Sequence, residues 1–424
     1  MTDHSSTLPK NLAPTGKEKF RARILPLLIM VLILAVIPMF SPSRTAYSLL
    51  AAVGINIVFA LSYNMLLGRG GLLSFGHAVY FGLGGYGAMH AMRAIELGEG
   101  GFWASFPIFG LPIIGFACGA LAGAIIGWPS CRRSGTPFAM ISLGVAELIA
   151  AAGFMFASIF GGEEGITGDR MNGPELFGLS MGPLSDIYIF IAFWTFVGTA
   201  SMYAFTRTPL GKLSEATRDN PERVQFIGFS PVRIRFMVFI FAGAFAGMAG
   251  GMAAVNYEIF TPDSLSLNPS GFVLLMAYIG GIRYFPGPIV GAIVLTLMQS
   301  MLSDFTEAWL LYLGILFILI VTFAPAGLSG ILYSIGATVR QTGLVGAISQ
   351  VKIKLPASVL IFMGTLILIE TSTRMSNGYG EVFEPFGLSL SLGSPLTWFL
   401  IAGPIIAGVA LLWKAKTDAQ GDQA

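Results

Sequence analysis

Glu147 is the one clear carboxylate deep inside an apolar run of this chain, in ISLGVAE near the middle of 137–160. An acid at the centre of a bilayer costs about 2.5–3.5 kcal/mol on insertion scales, so it should face protein or water. It could stand on a solute path, or close an interhelical hydrogen bond to Asn56 or Asn64. His77, near the start of the run 72–92, could handle a proton or serve as a packing and hydrogen-bonding residue. Other chemistry is sparse. His4, His77 and His90 have no ligand spacing to one another, and Cys118 and Cys131 suit neither a disulfide framework nor a metal site. The sequence contains no G-x-x-x-x-G-K-[ST], H-E-x-x-H or G-x-S-x-G. No catalytic residue, cofactor or metal is expected, and no nucleic-acid partner.

The remaining candidates are glycines in clusters. In LLSFGHAVYFGLGGYGA, Gly82, Gly85 and Ala78 share a small-residue face, with Gly76 just before His77. In FAGAFAGMAGG, Gly243, Gly247 and Gly251 have G-x-x-x-G spacing. Such faces let helix backbones approach closely; they could line a path, form a moving contact or simply pack. Gly168 closes the loop GGEEGITG, which could approach a ligand or docking protein or be a plain flexible loop. Gly280 and Gly281 precede a turn containing Pro286 and Pro288, residues that end helices.

The elements that must position these residues are membrane spans. The 424 residues are 54% hydrophobic and 11% charged, against about 25% charged in soluble domains. The chain therefore reads as an all-α polytopic membrane protein. Runs long enough, or nearly so, for a bilayer of about 30 Å lie at 24–40, 46–67, 72–92, 106–128, 137–160, 187–206, 236–256, 270–283, 286–302 and 307–323, with two more at 356–370 and 396–413. This gives about ten core spans plus two extra C-terminal ones. The 54 glycines and 23 prolines argue for interrupted helices; 72–92 and 270–302 could be broken or re-entrant. Residues 1–23 form a polar tail, 24–332 the transmembrane domain, and 333–424 an appended unit.

Charge placement sets the orientation. With the N-terminus in the cytoplasm and the spans alternating, 20 of the 24 Lys and Arg residues fall inside; Arg44, Arg93, Arg170 and Arg374 fall outside. The positive-inside rule thus predicts N-in and C-in. It also puts inside the polar block 207–235, which has six basic residues and helical rhythm from Lys212 to Phe229. Leu213, Ala216, Val224 and Ile227 could share its apolar stripe. A structured polar loop of this size suggests a docking surface.

Taken in order, these motifs resemble LivM-like permease subunits of branched-chain amino-acid ABC importers. The likeness rests on LLSFGHAVYFGLGGYGA, ISLGVAE, GGEEGITG, TPLGKLSEATRDNPERVQFIGFS, VFIFAGAFAGMAGGMAA, AYIGGIRYFPGPIVGA and APAGLSGIL, and covers roughly 46–332. The chain departs from the pattern at EEGITG, at Gln225, at Ile282–Pro286 and in its longer tail. The resemblance implies a sister permease, two cytoplasmic ABC ATPase subunits, an extracytoplasmic solute-binding protein and a bacterial inner membrane. It makes 207–235 similar to a coupling helix, with Gly211, Ala216, Arg218, Asp219, Asn220 and Gly228 as its ATPase-coupling positions. Within that family, urea, short amides or aromatic acids are alternative substrates. A secondary transporter or channel for a small polar solute is the alternative outside it, but it leaves the large loop unexplained.

Overall fold

The computed structural model describes residues 43–335, except 99, 104, 175–177, 179 and 307, and scattered residues between 364 and 410. The expected tail 1–23 and span 24–40 lie outside the described residues, as does most of 333–424. The chain divides into two compact units, Met1–Ala277 and Tyr278–Ala424.

The first unit is helical. Its main elements are α1 (Arg44–Asn64, continued by a π-turn Met65–Arg69), α2 (His77–Glu96), α3 (Leu111–Ser130), α4 (Thr136–Met155) and α5 (Leu184–Phe205). The loop helices α6 (Pro209–Asp219) and α7 (Pro221–Phe226) follow, then α8 (Pro231–Tyr257). Five described helices are long and apolar enough to cross a membrane: Arg44–Arg69, Ile108–Ser130, Thr136–Met155, Leu184–Phe205 and Pro231–Tyr257. A sixth results if Trp309–Thr322 and Gly327–Ile335, bent by 56°, form one span. The protein is a multi-pass membrane protein.

Helix α8 is the core of this unit. At about 1.5 Å per residue it is about 40 Å long, and every residue from Ala242 to Val255 is buried. It is apolar all round because helices cover it all round. Its glycines make this possible. A Cβ on Gly247 would collide with the main chain of Gly115 and Gly119 on α3, and one on Gly250 with the main chain of Phe81 and Gly85 on α2. On the facing helices, a Cβ on Gly84 would collide with Gly247, and one on Gly119 with Gly243. The backbones are therefore in direct contact, which only glycine allows.

Two stretches inside this unit are not helical. The run expected at 72–92 becomes an α-helix only at His77; residues 71–76 are an irregular link. Between Tyr257 and Leu267, a two-residue strand β2 (Ile259–Phe260) pairs antiparallel with β1 (Ile166–Thr167), and a 3-10 turn follows at Pro262–Leu265. Phe260 packs against Gly85, and Leu265 lies against both Gly82 and Gly153. This segment is wedged between α2 and α4. Irregular backbone is tolerated among membrane helices where protein buries it, and Phe260 and Leu265 are both buried.

Helix α9 (Leu267–Gly280) leads to a break at 281–286, and α10 (Gly287–Leu297) follows, continued by a π-turn at Met298–Leu302. The stretch 270–302 is thus interrupted. In the second unit, Gly281 has φ +109°, and a Cβ there would meet the Ala326 carbonyl; a Cβ on Gly280 would meet the Gly287 carbonyl. Helix α11 (Trp309–Phe323) completes the described helices of this unit up to Ala324.

Candidate functional site

Of the expected loop 207–235, residues 209–226 fold as two short helices, and 231–235 already belong to α8. Thr208 caps α6, its Oγ1 accepting from Gly211 N at 3.2 Å. Asn220 ends α6 and caps α7, its Oδ1 accepting from Arg223 N at 2.9 Å. Pro221 cannot donate to a continuing helix, so the single rhythm from Lys212 to Phe229 is broken here. The expected apolar stripe fails with it: Val224 is buried, whereas Ala216 and Ile227 are exposed. Gly228, at φ +90°, turns the chain so that Phe229 N bonds back to Val224 O at 3.2 Å. Phe226 at the tip is 90% exposed.

One side of α6 is clamped to the end of α1. Arg69 forms an ion pair with Glu215, which also accepts from Lys212 Nζ at 3.0 Å. Arg218 donates to the main-chain carbonyl of Gly68 and to Asp219 Oδ1 at 2.8 and 2.9 Å. Gly71, at φ +66°, lets the chain turn under the Arg218 stem. Gly211 faces inward, where a Cβ would collide with the Phe205 carbonyl. Of the expected coupling positions, Ala216, Arg218, Asp219, Asn220 and Gly228 are exposed, Arg218 being also engaged within the chain, and Gly211 is buried. The sequence reading missed Arg69 and Glu215. The signal available was Arg69 among glycines in LGRGG, a lone cation at the foot of a span.

The link from Gly70 to Gly76 joins this clamp to the helices. Tyr63 Oη donates to Ser74 O at 3.0 Å, and Phe75 N donates to Ser142 Oγ of α4 at 3.1 Å. Gly76 packs against the Ser142 carbonyl, and Ala78 N donates to Ser270 Oγ of α9 at 2.9 Å. Serines from different elements thus satisfy donors around the start of α2. His77 is fully buried, with Nε2 2.9 Å from Ser62 Oγ and its ring stacked on Phe59. Cys131, just past α3, is buried, and burial pushes its thiol up to about 12, far from a reactive thiolate.

At the opposite ends of these helices Arg170 organises the loop. Its Nη1 donates to Val255 O and Asn256 O at 3.1 and 2.9 Å, capping α8. Its Nε donates to Met181 O at 2.8 Å, and its side chain pairs with Glu258 at 3.6 Å. Met181 and Glu258 are the non-glycine residues with positive φ among those described. One guanidinium therefore binds both strained positions. Gly168 N donates to Glu258 O at 3.2 Å in the same cluster.

Glu147 lies on the exposed side of α4, turned away from Ser142, Ala146 and Ala150, which are buried. It makes no hydrogen bond or ion pair among the described residues, so neither Asn56 nor Asn64 receives it. The Oδ1 of Asn64 is buried and unpartnered.

Comparison with known proteins gives a consistent result. The chain is 29% identical over 324 residues to the high-affinity branched-chain amino acid transport system permease protein LivM of Escherichia coli (strain K12), covering 71% of this chain and 74% of that protein. It is 24% identical over 327 residues to the probable LivM of Methanocaldococcus jannaschii, covering 65% and 90%. It is 28% identical over 136 residues to that organism's probable LivH, covering 30% and 42%. No solved structure matches. Residues 45–323 match the family model for the permease component of branched-chain amino acid transport systems, and the chain belongs to that family.

Proposed function

We propose that the chain is a permease subunit of an ATP-driven ABC importer for branched-chain or related amino acids in a bacterial inner membrane. Its loop helices α6 and α7 engage ATPase subunits on the cytoplasmic side. The observation that carries this reading is the clamp of α6 onto α1 through Arg69–Glu215 and Arg218–Gly68 O. A loop held by charge-assisted bonds and joined directly to α5 and α8 moves with its spans. A loosely tethered loop would absorb a push instead. On this reading Ala216, Asp219, Asn220, Gly228 and the exposed Phe226 face the ATPase, while Gly211 and Arg218 fix the loop to its own spans. The family and the names of the relatives support the substrate class. The sequence has no phosphate loop, so the partners supply the ATP chemistry. A sister permease completes the membrane part, and a solute-binding protein delivers substrate to the face carrying Arg170 and Gly168.

The test is purification of the tagged chain from its native membrane, followed by uptake of leucine into vesicles. Two ATPase subunits and a second permease co-purify, uptake requires ATP, and Phe226→Asp releases the ATPases while the permease pair persists. Absence of any ATPase with the unaltered chain, or uptake driven by an ion gradient alone, overturns the reading.

A further inference from the structure

The exposed faces of two neighbouring spans differ in kind. Helix α3 exposes Ile113, Ala117, Leu121, Ile125 and Trp128, an almost wholly bulky apolar stripe at helical spacing. That surface suits lipid. Helix α4 exposes apolar Met140, Ile141, Leu148, Phe154 and Met155, but among them also Gly144, Glu147 and Ala151, a strip of small residues with one charge at helical spacing. Here a carboxylate sits about one turn beyond a glycine whose missing side chain opens onto empty space, with nothing within 4 Å of the position a Cβ would take. A second small residue, Ala151, lies a turn further on. A carboxylate in mid-span on a lipid-facing surface costs about 2.5–3.5 kcal/mol, and this one has no partner among the described residues to offset that cost.

We propose that the Gly144–Glu147–Ala151 face of α4 lines the translocation path, and that the Glu147 carboxylate receives the ammonium group of the amino acid in transit. The inference rests on the transport function proposed above. The chemistry is complementary: a zwitterionic amino acid carries one cation that an apolar path cannot solvate, and a lone carboxylate supplies the counter-charge. The notch beside Gly144 leaves room for solute and water next to it. The opposite face of α4 bonds through Ser142 to Phe75 N, so the position of this surface is tied to the link that α6 clamps.

The test uses the assembled complex with Cys118 and Cys131 replaced by Ala. Single cysteines are placed by Gly144→Cys, Glu147→Cys and Ala151→Cys, with Leu121→Cys and Ile125→Cys on α3 as controls. A cationic, membrane-impermeant methanethiosulfonate modifies the three α4 positions and spares the α3 controls. Modification of the α4 positions only by lipid-soluble N-ethylmaleimide means that they face lipid and overturns the proposal. Modification by neither reagent in the complex means a sealed subunit contact and overturns it equally. In a second arm, Glu147→Gln lowers leucine uptake on the order of tenfold or more, as expected for loss of one partner of a desolvated charge pair. Assembly is unchanged, and Glu147→Asp restores part of the uptake. The 2-oxo acid analogue, which lacks the ammonium group, loses its disadvantage against leucine in the Glu147→Gln complex. Equal loss of both solutes overturns the ammonium assignment. If the unaltered complex moves no amino acid at all, the transport reading fails, while cysteine labelling still reports whether the face is wet.

Discussion

Arg218 donates to the main-chain carbonyl of Gly68, a residue 150 positions earlier in the chain. This bond places a loop helix against the foot of α1. With the Arg69–Glu215 pair beside it, it makes the loop part of the helical body rather than an appendage. A hydrogen bond from a charged group to a part-buried carbonyl contributes about 1.5–3 kcal/mol.

Loosening of the loop is the first expectation. Arg218→Ala raises the population of locally opened α6 by about 10- to 100-fold, the equivalent of that bond energy. Limited proteolysis between Thr206 and Pro231 accelerates accordingly. Glu215→Gln has a smaller effect, because the carbonyl contact survives. A cleavage rate for Arg218→Ala equal to that of the unaltered chain would show that the clamp contributes nothing.

Glycine substitutions separate packing from open surface. Gly247 meets the main chain of α3 on one side and Gly84 on the other, so Gly247→Val forces helices apart and costs about 1–3 kcal/mol or more. Gly144 has open space beside it, so Gly144→Ala leaves folding unchanged and gains slightly in helix propensity. Thermal unfolding in detergent measures both. Equal unfolding temperatures for the two variants would contradict the packing described for α8.

Arg170 holds two strained residues with one guanidinium. Backbone in a sparsely populated region costs about 1–3 kcal/mol per residue, and contacts to Met181, Glu258, Val255 and Asn256 hold it in place. Lysine cannot reproduce the planar fork. Arg170→Lys therefore behaves like Arg170→Ala, and both increase amide exchange over 161–173 and at the end of α8. If Lys restores protection fully, charge alone is sufficient and the geometric argument fails.

Much of the site was legible in part only. The G-x-x-x-G spacing at Gly243, Gly247 and Gly251 marks a helix face from sequence, because small residues three and four apart must lie together. It does not say that the opposing face is itself glycine, at Gly115 and Gly119. The loop's polarity is plain from its charges, but its continuous helical rhythm misled at Asn220–Pro221. There a cap and a missing donor outweighed the periodicity. Glu147 is conspicuous by charge alone, yet nothing local tells which side of α4 points inward. That depends on where Ser142, Ala146 and Gly153 find partners.

Hydrophobic runs, glycine clusters and ordered motifs are enough to make this a helical membrane protein of the branched-chain amino acid permease family. Those are local properties, read within one or two turns of helix. The tertiary structure alone decided that Arg69 meets Glu215, that Arg218 turns to Gly68 and that Arg170 gathers Met181 and Glu258. It also decided that Glu147 has no partner among the described residues. Each of these depends on residues far apart in sequence, and close packing of the glycine backbones around α8 is what brings their elements into contact.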